Sequence, residues 1–113
     1  MLILEHHLKQ GVRILDKNNE KTLDLIFLYI DPYNSKVRVR VNDKDDEGNE
    51  IFKDYVISNK ENKVYNDLSL RIKEIINNKK VKIGYSAPPE IQIQRYDYSD
   101  KDNPVLLTKK GPI

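Results

Sequence analysis

The chain has 113 residues, of which 38% are hydrophobic, and its 20 basic and 18 acidic side chains leave a net charge of +2. That length predicts one domain with a modest core that oligomerisation would enlarge, and the near-balanced charge excludes a protein that coats duplex DNA, so any nucleotide or nucleic-acid site has to be a local patch. The lack of cysteine excludes disulfides, zinc ribbons and thiol catalysis, while the absence of a run of ~20 apolar residues and of a signal-peptide layout predicts a cytoplasmic protein with no membrane partner.

Residues 1–8 read as a strand with Leu2, Leu4 and His6 on one face and Ile3 and Glu5 on the other. Gly11 marks a bend before a short strand over 12–15, and Asp16-Lys17-Asn18-Asn19-Glu20 is a turn-rich loop. The near-continuous apolarity of 22–30 predicts a strand buried on both faces. Asp31-Pro32-Tyr33-Asn34 is a turn with proline at its second position. The next stretch alternates, with Val37, Val39 and Val41 on one side and Lys36, Arg38 and Arg40 on a wet, basic side.

After a charged loop, 50–58 predicts a further strand. The spacing of Leu68, Ile72, Ile75 and Ile76 predicts a helix over 67–78, with Asp67 as its N-cap. Strands are expected over 81–85 and 91–96, joined by Ala87-Pro88-Pro89. A short edge strand over 105–108 and a loose tail over 109–113 complete the chain. The fold expected is therefore mostly β (α+β), in a single domain.

The two ends carry the most specific signal. The chain opens Met1-Leu2-Ile3-Leu4-Glu5-His6-His7 and later reads Val81-Lys82-Ile83-Gly84-Tyr85-Ser86-Ala87-Pro88-Pro89-Glu90-Ile91-Gln92-Ile93-Gln94-Arg95. Both stretches resemble the carbon storage regulator family (CsrA/RsmA) of small RNA-binding proteins, with a much longer middle. The resemblance implies antiparallel strands in an intertwined oligomer, the first strand of one protomer beside the last of its mate. It divides the chain into a strand core (1–42 and 80–98), an inserted strand-plus-helix excursion (43–79) and a C-terminal extension (99–113). The family's RNA-contacting positions fall here on Leu4, His6, His7, Ile93 and Arg95. Where the family has an arginine pair this chain has His6 and His7, which are mostly neutral at pH 7 and cannot grip phosphate as guanidinium does.

The chain also looks like the Thoeris anti-defence sponges of phages, which sequester cyclic ADP-ribose signals. That likeness implies a non-enzymatic homo-oligomer in the cytoplasm of a bacterial host, holding a cyclic nucleotide or ADP-ribose-type ligand at a protomer interface without a cofactor. Arg95 would hold phosphate, Tyr96 or Tyr85 would stack the base, and Arg38 or Arg40 would complete the anion site. The alternative is RNA-binding post-transcriptional regulation, and a third reading is a protein-protein adaptor. Each feature also has a structural reading. Arg95 fits a solvated strand end, Arg38 and Arg40 a solvated sheet face, Tyr85 and Tyr96 packing, and Arg71 a solvated charge. Adjacent histidines on a strand point to opposite faces, so His6 and His7 are not expected to share a metal. With no Gly-rich phosphate loop and no nucleophile elbow, no catalytic residue is expected.

Overall fold

The structure, a computed structural model, describes residues 1–100 and 102–107. Ten strands run through them: β1 (Leu2–His7), β2 (Gln10–Asp16), β3 (Lys21–Asp31), β4 (Lys36–Lys44), β5 (Glu50–Ile57), β6 (Asn62–Tyr65), β7 (Leu68–Asn77), β8 (Lys80–Ser86), β9 (Ile91–Asp97) and β10 (Val105–Leu106). They form two antiparallel sheets, a four-stranded one ordered β1-β8-β7-β6 and a six-stranded one ordered β10-β9-β2-β3-β4-β5. One buried apolar cluster lies between them, with Leu70, Ile83 and Val81 from the smaller sheet and Val12, Ile14, Leu25, Phe27 and Val39 from the larger. Residues at alternate positions line a common face of a strand, so the valines of β4 and Leu23 and Leu25 of β3 reach the same interior.

The helix expected over 67–78 is corrected: this segment is β7, and no helix occurs among the described residues. Leu68, Leu70 and Ile72 obey a two-residue period and are buried, whereas Ile76, assigned to the helix face, is 41% exposed. Two register irregularities, between Ile72 and Glu74 and between Ile75 and Asn77, lengthen the apolar step past two residues. Such bulges insert one residue into a strand and shift its side chains to the other face, and here they imitate helical spacing. Asp67 is not an N-cap. With Asn66, which has φ 38°, it forms the two-residue link between β6 and β7, where asparagine tolerates the left-handed backbone.

Residues 43–79 contribute to both sheets, giving β5 to the larger and β6 and β7 to the smaller. Within the chain the head strand β1 pairs with β8, and β9 pairs with β2. The edge strand expected to reach Thr108 is β10, limited to Val105 and Leu106, while Thr108 and the expected tail lie outside the described residues.

Candidate functional site

The residues singled out in the sequence fall into three groups, built on different surfaces of the sandwich. The first lies in the interior. Alternation along β1 sends Leu4 and His6 inward, and along β9 it sends Ile91, Ile93 and Arg95 inward. His6 is fully buried. It stacks on Phe27 with ring centroids 4.7 Å apart, meets the Tyr85 ring edge-on, and places Nε2 2.6 Å from the Tyr85 hydroxyl. Arg95 donates from Nη2 to the Glu5 carbonyl at 3.0 Å. His6 Nδ1 and Arg95 Nε have no hydrogen-bond partner in the described chain.

Burial and then the nearby Arg95 charge depress the His6 pKa to about 3, so the imidazole is neutral at pH 7. Burial holds the Tyr85 phenol well above its ordinary value. With no exposed surface, Tyr85 has no face on which a base could stack in this chain. His7 points outward, as the alternation requires, and the two histidines share no site. Among the described residues no group of three or more metal-ligating side chains is gathered.

The second group stands on the outer face of the larger sheet, over β2, β3 and β9. Arg13 donates to both oxygens of Asp24, at 2.8 and 3.2 Å, and lies 4.5 Å from the centre of the Tyr96 ring. Tyr98 packs beside Tyr96 and donates its hydroxyl to Asp24 Oδ1 at 3.0 Å. Burial, followed by the charge of Asp24, pushes the Tyr98 phenol far up. Tyr96 is thus on the opposite face from Tyr85 and Arg95. A groove of about 690 Å³ opens beside this cluster, lined by Glu20, Asp24, Asp43, Asp46 and Glu50 against Arg13, Lys21 and Lys44. Five carboxylates against three cations make it a poor seat for phosphate.

The third group occupies the same outer face further along, on β3, β4 and β5. Cross-strand pairing sets Arg38 between Tyr29 and Val56, and sets Arg40 between Ile26 and Asp54. Arg40 donates to both oxygens of Asp54, at 2.8 and 3.1 Å, and lies 5.9 Å from the Phe52 ring centre. That bond, more than the nearby Arg38 charge, lowers the Asp54 pKa. Among the described residues no carboxylate oxygen lies within 4.0 Å of the Arg38 guanidinium. Tyr29 is 58% exposed and Phe52 56% exposed, and rings left that open are free to stack on a ligand.

Sequence reasoning placed Arg38 and Arg40 on one wet face but missed Tyr29, Phe52 and Asp54. Tyr29 sits in a run read as buried on both faces, and a register shift between Phe27 and Tyr29 turns it outward. Phe52 and Asp54 join the arginines only through the pairing of β5 with β4. Compared with known protein families, curated proteins and solved structures, the chain matches none.

Proposed function

We propose that this chain binds, without chemically changing it, a ligand that carries aromatic bases and phosphate, and that it does so on the open face around Arg38. What carries this reading is one juxtaposition: an arginine without a carboxylate partner among the described residues, paired across the strands with the exposed Tyr29, and on the same face Arg40 beside the exposed ring of Phe52. Exposed aromatics on a sheet stack successive bases, and guanidinium groups among them take the backbone phosphates. A short single strand of RNA suits this open surface, since a free nucleotide is usually held in a concave site that removes it from water. The likeness of the chain's ends to the CsrA/RsmA family bears on RNA as the class of ligand and not on this face, since Leu4, His6, Ile93 and Arg95 point inward.

The second reading is sequestration of a cyclic nucleotide, such as a cyclic ADP-ribose isomer, at a protomer interface. It is favoured by the two unpartnered nitrogens of His6 and Arg95, on the inward faces of β1 and β9.

Fluorescence anisotropy with labelled single-stranded RNA, and calorimetry with cyclic nucleotides, separate the two. On the open-face reading RNA binds, and Tyr29→Ala or Arg38→Ala each weakens it roughly 5- to 100-fold, as expected for a lost base stack or charged contact. Arg95→Ala leaves RNA affinity unchanged provided the variant stays folded. Cyclic-nucleotide binding that survives Arg38→Ala and is lost in Arg95→Ala transfers the site to the interface. Binding of neither ligand leaves the adaptor reading.

A further inference from the structure

One edge of the larger sheet is long, apolar and unpaired. β5 closes the sheet over eight residues, Glu50–Ile57, and no described strand lies beyond it. It exposes three large apolar side chains, with Ile51 at 46%, Phe52 at 56% and Val56 at 57%. A strand edge offers a row of free backbone donors and acceptors to any extended partner, and folded proteins usually blunt such edges.

We infer that β5 pairs with β5 of a second copy, joining two larger sheets across a two-fold axis. A two-fold axis normal to the sheet keeps each face on its own side, so facing residues must lie on the same face of the strand. The pairing therefore centres on a single residue. Centring on Lys53 brings two lysines together and sets Phe52 against Asp54. Centring on Phe52 sets Glu50 against Asp54, and centring on Tyr55 sets Lys53 against Ile57.

Centring on Asp54 avoids these pairs and leaves one like pair, Asp54 against Asp54. Phe52 then faces Val56 of the second copy, Ile51 faces Ile57, and Lys53 faces Tyr55. Apolar and aromatic pairs of this kind stabilise strand pairing, and Lys53 already lies over the Tyr55 ring of its own strand, 5.3 Å from the ring centre. The two Asp54 carboxylates at the centre are each bound on both oxygens by an Arg40 of their own strand. Phe52 and Val56 thus find mates in this register, and its one like-charged pair, Asp54 with Asp54, is neutralised on each side by Arg40. Two short strands make a small interface, well under the ~1,200 Å² of stable complexes, so the dimer forms with concentration.

The test uses ligand-free protein, which makes it independent of the binding proposal above. Sedimentation equilibrium should show the mass rising from 13.3 kDa toward twice that value as concentration increases. A Phe52→Glu/Val56→Glu variant should stay at the single-chain mass with unchanged circular dichroism, as should Phe52→Lys/Val56→Lys. Mixing the two should restore a dimer, because each Glu then faces a Lys.

The chain has no cysteine, so single-cysteine variants report the register directly. Oxidising an equal mixture of Phe52→Cys and Val56→Cys should give the mixed disulfide dimer well beyond the roughly twofold excess over either like pair that random coupling yields. A monomer at every concentration, a dimer indifferent to both charge variants, or preferential Phe52→Cys self-coupling would overturn the pairing.

Discussion

His6 is a titratable ring placed where a phenylalanine would pack. Its imidazole stacks on Phe27, its Nε2 meets the Tyr85 hydroxyl, and the charge that faces it is Arg95. In the unfolded chain it titrates near 6.5, and in the fold at about 3. Between those values the unfolded chain carries a proton that the folded chain refuses, so stability falls as pH drops below 6.5 and stops falling only below about 3. The carboxylates whose pKa values are held low, such as Asp16, Asp54 and Asp97, withdraw their contributions only below about 3.8. The interval from pH 6.5 to 4.5 therefore isolates the histidine. Urea unfolding should show a loss on the order of 2–3 kcal/mol across that interval, from a shift worth 1.36 kcal/mol per pH unit. In a His6→Phe/Tyr85→Phe variant, which removes both polar partners together and so strands neither, the slope should vanish. Parallel curves for the two proteins would contradict this account of the cluster.

Among the elements, two hairpins obey one hexapeptide rule. Asp16-Lys17-Asn18-Asn19-Glu20-Lys21 and Asp31-Pro32-Tyr33-Asn34-Ser35-Lys36 share the pattern Asp-x-x-Asn-x-Lys. In each, the aspartate pairs with the lysine across the strands and accepts backbone N–H bonds and the asparagine side-chain amide. The fifth residue turns left-handed, Glu20 at φ 50° and Ser35 at φ 53°. A side chain at that backbone angle costs roughly 1 kcal/mol that glycine does not incur. Ser35→Gly should accordingly stabilise the fold by about 0.5 kcal/mol or more once the looser unfolded chain is counted, read as a higher urea midpoint. Unchanged or lower stability would place the cost elsewhere.

These turns were legible in the sequence because their chemistry is local, as was the alternation of β4. β7 was not, because its bulges answer to the strands on either side and those pairings are not written in its own residues. Gly11 was legible only as a bend. A Cβ there would lie 1.8 Å from the Leu25 carbonyl oxygen, so β2 and β3 approach at a distance that excludes any side chain.

For the molecule as a whole, a net charge of +2 spread over two sheets means that binding of a polyanion rests on few cations. With Arg38 and Arg40 as the phosphate contacts, the logarithm of RNA affinity should fall against the logarithm of salt with a slope no steeper than about −1.4 per chain. A much steeper slope would require a basic surface other than this face. Only part of that face could be anticipated: the arginines announce themselves by alternation, while their aromatic neighbours arrive from strands on either side.

The expected meeting of Leu4 and Arg95 across two protomers has a counterpart within one chain, where Arg95 reaches the carbonyl of Glu5. The pairing of β1 with β8 has its own outcome for biosynthesis. β1 is made well before its hydrogen-bonded neighbour β8, which starts at Lys80. On the ribosome β1 must wait, unpaired, until β8 has been translated. Such long-range closure makes folding slow and leaves Leu2 and Leu4 uncovered in the nascent chain, a window in which chaperones find their clients.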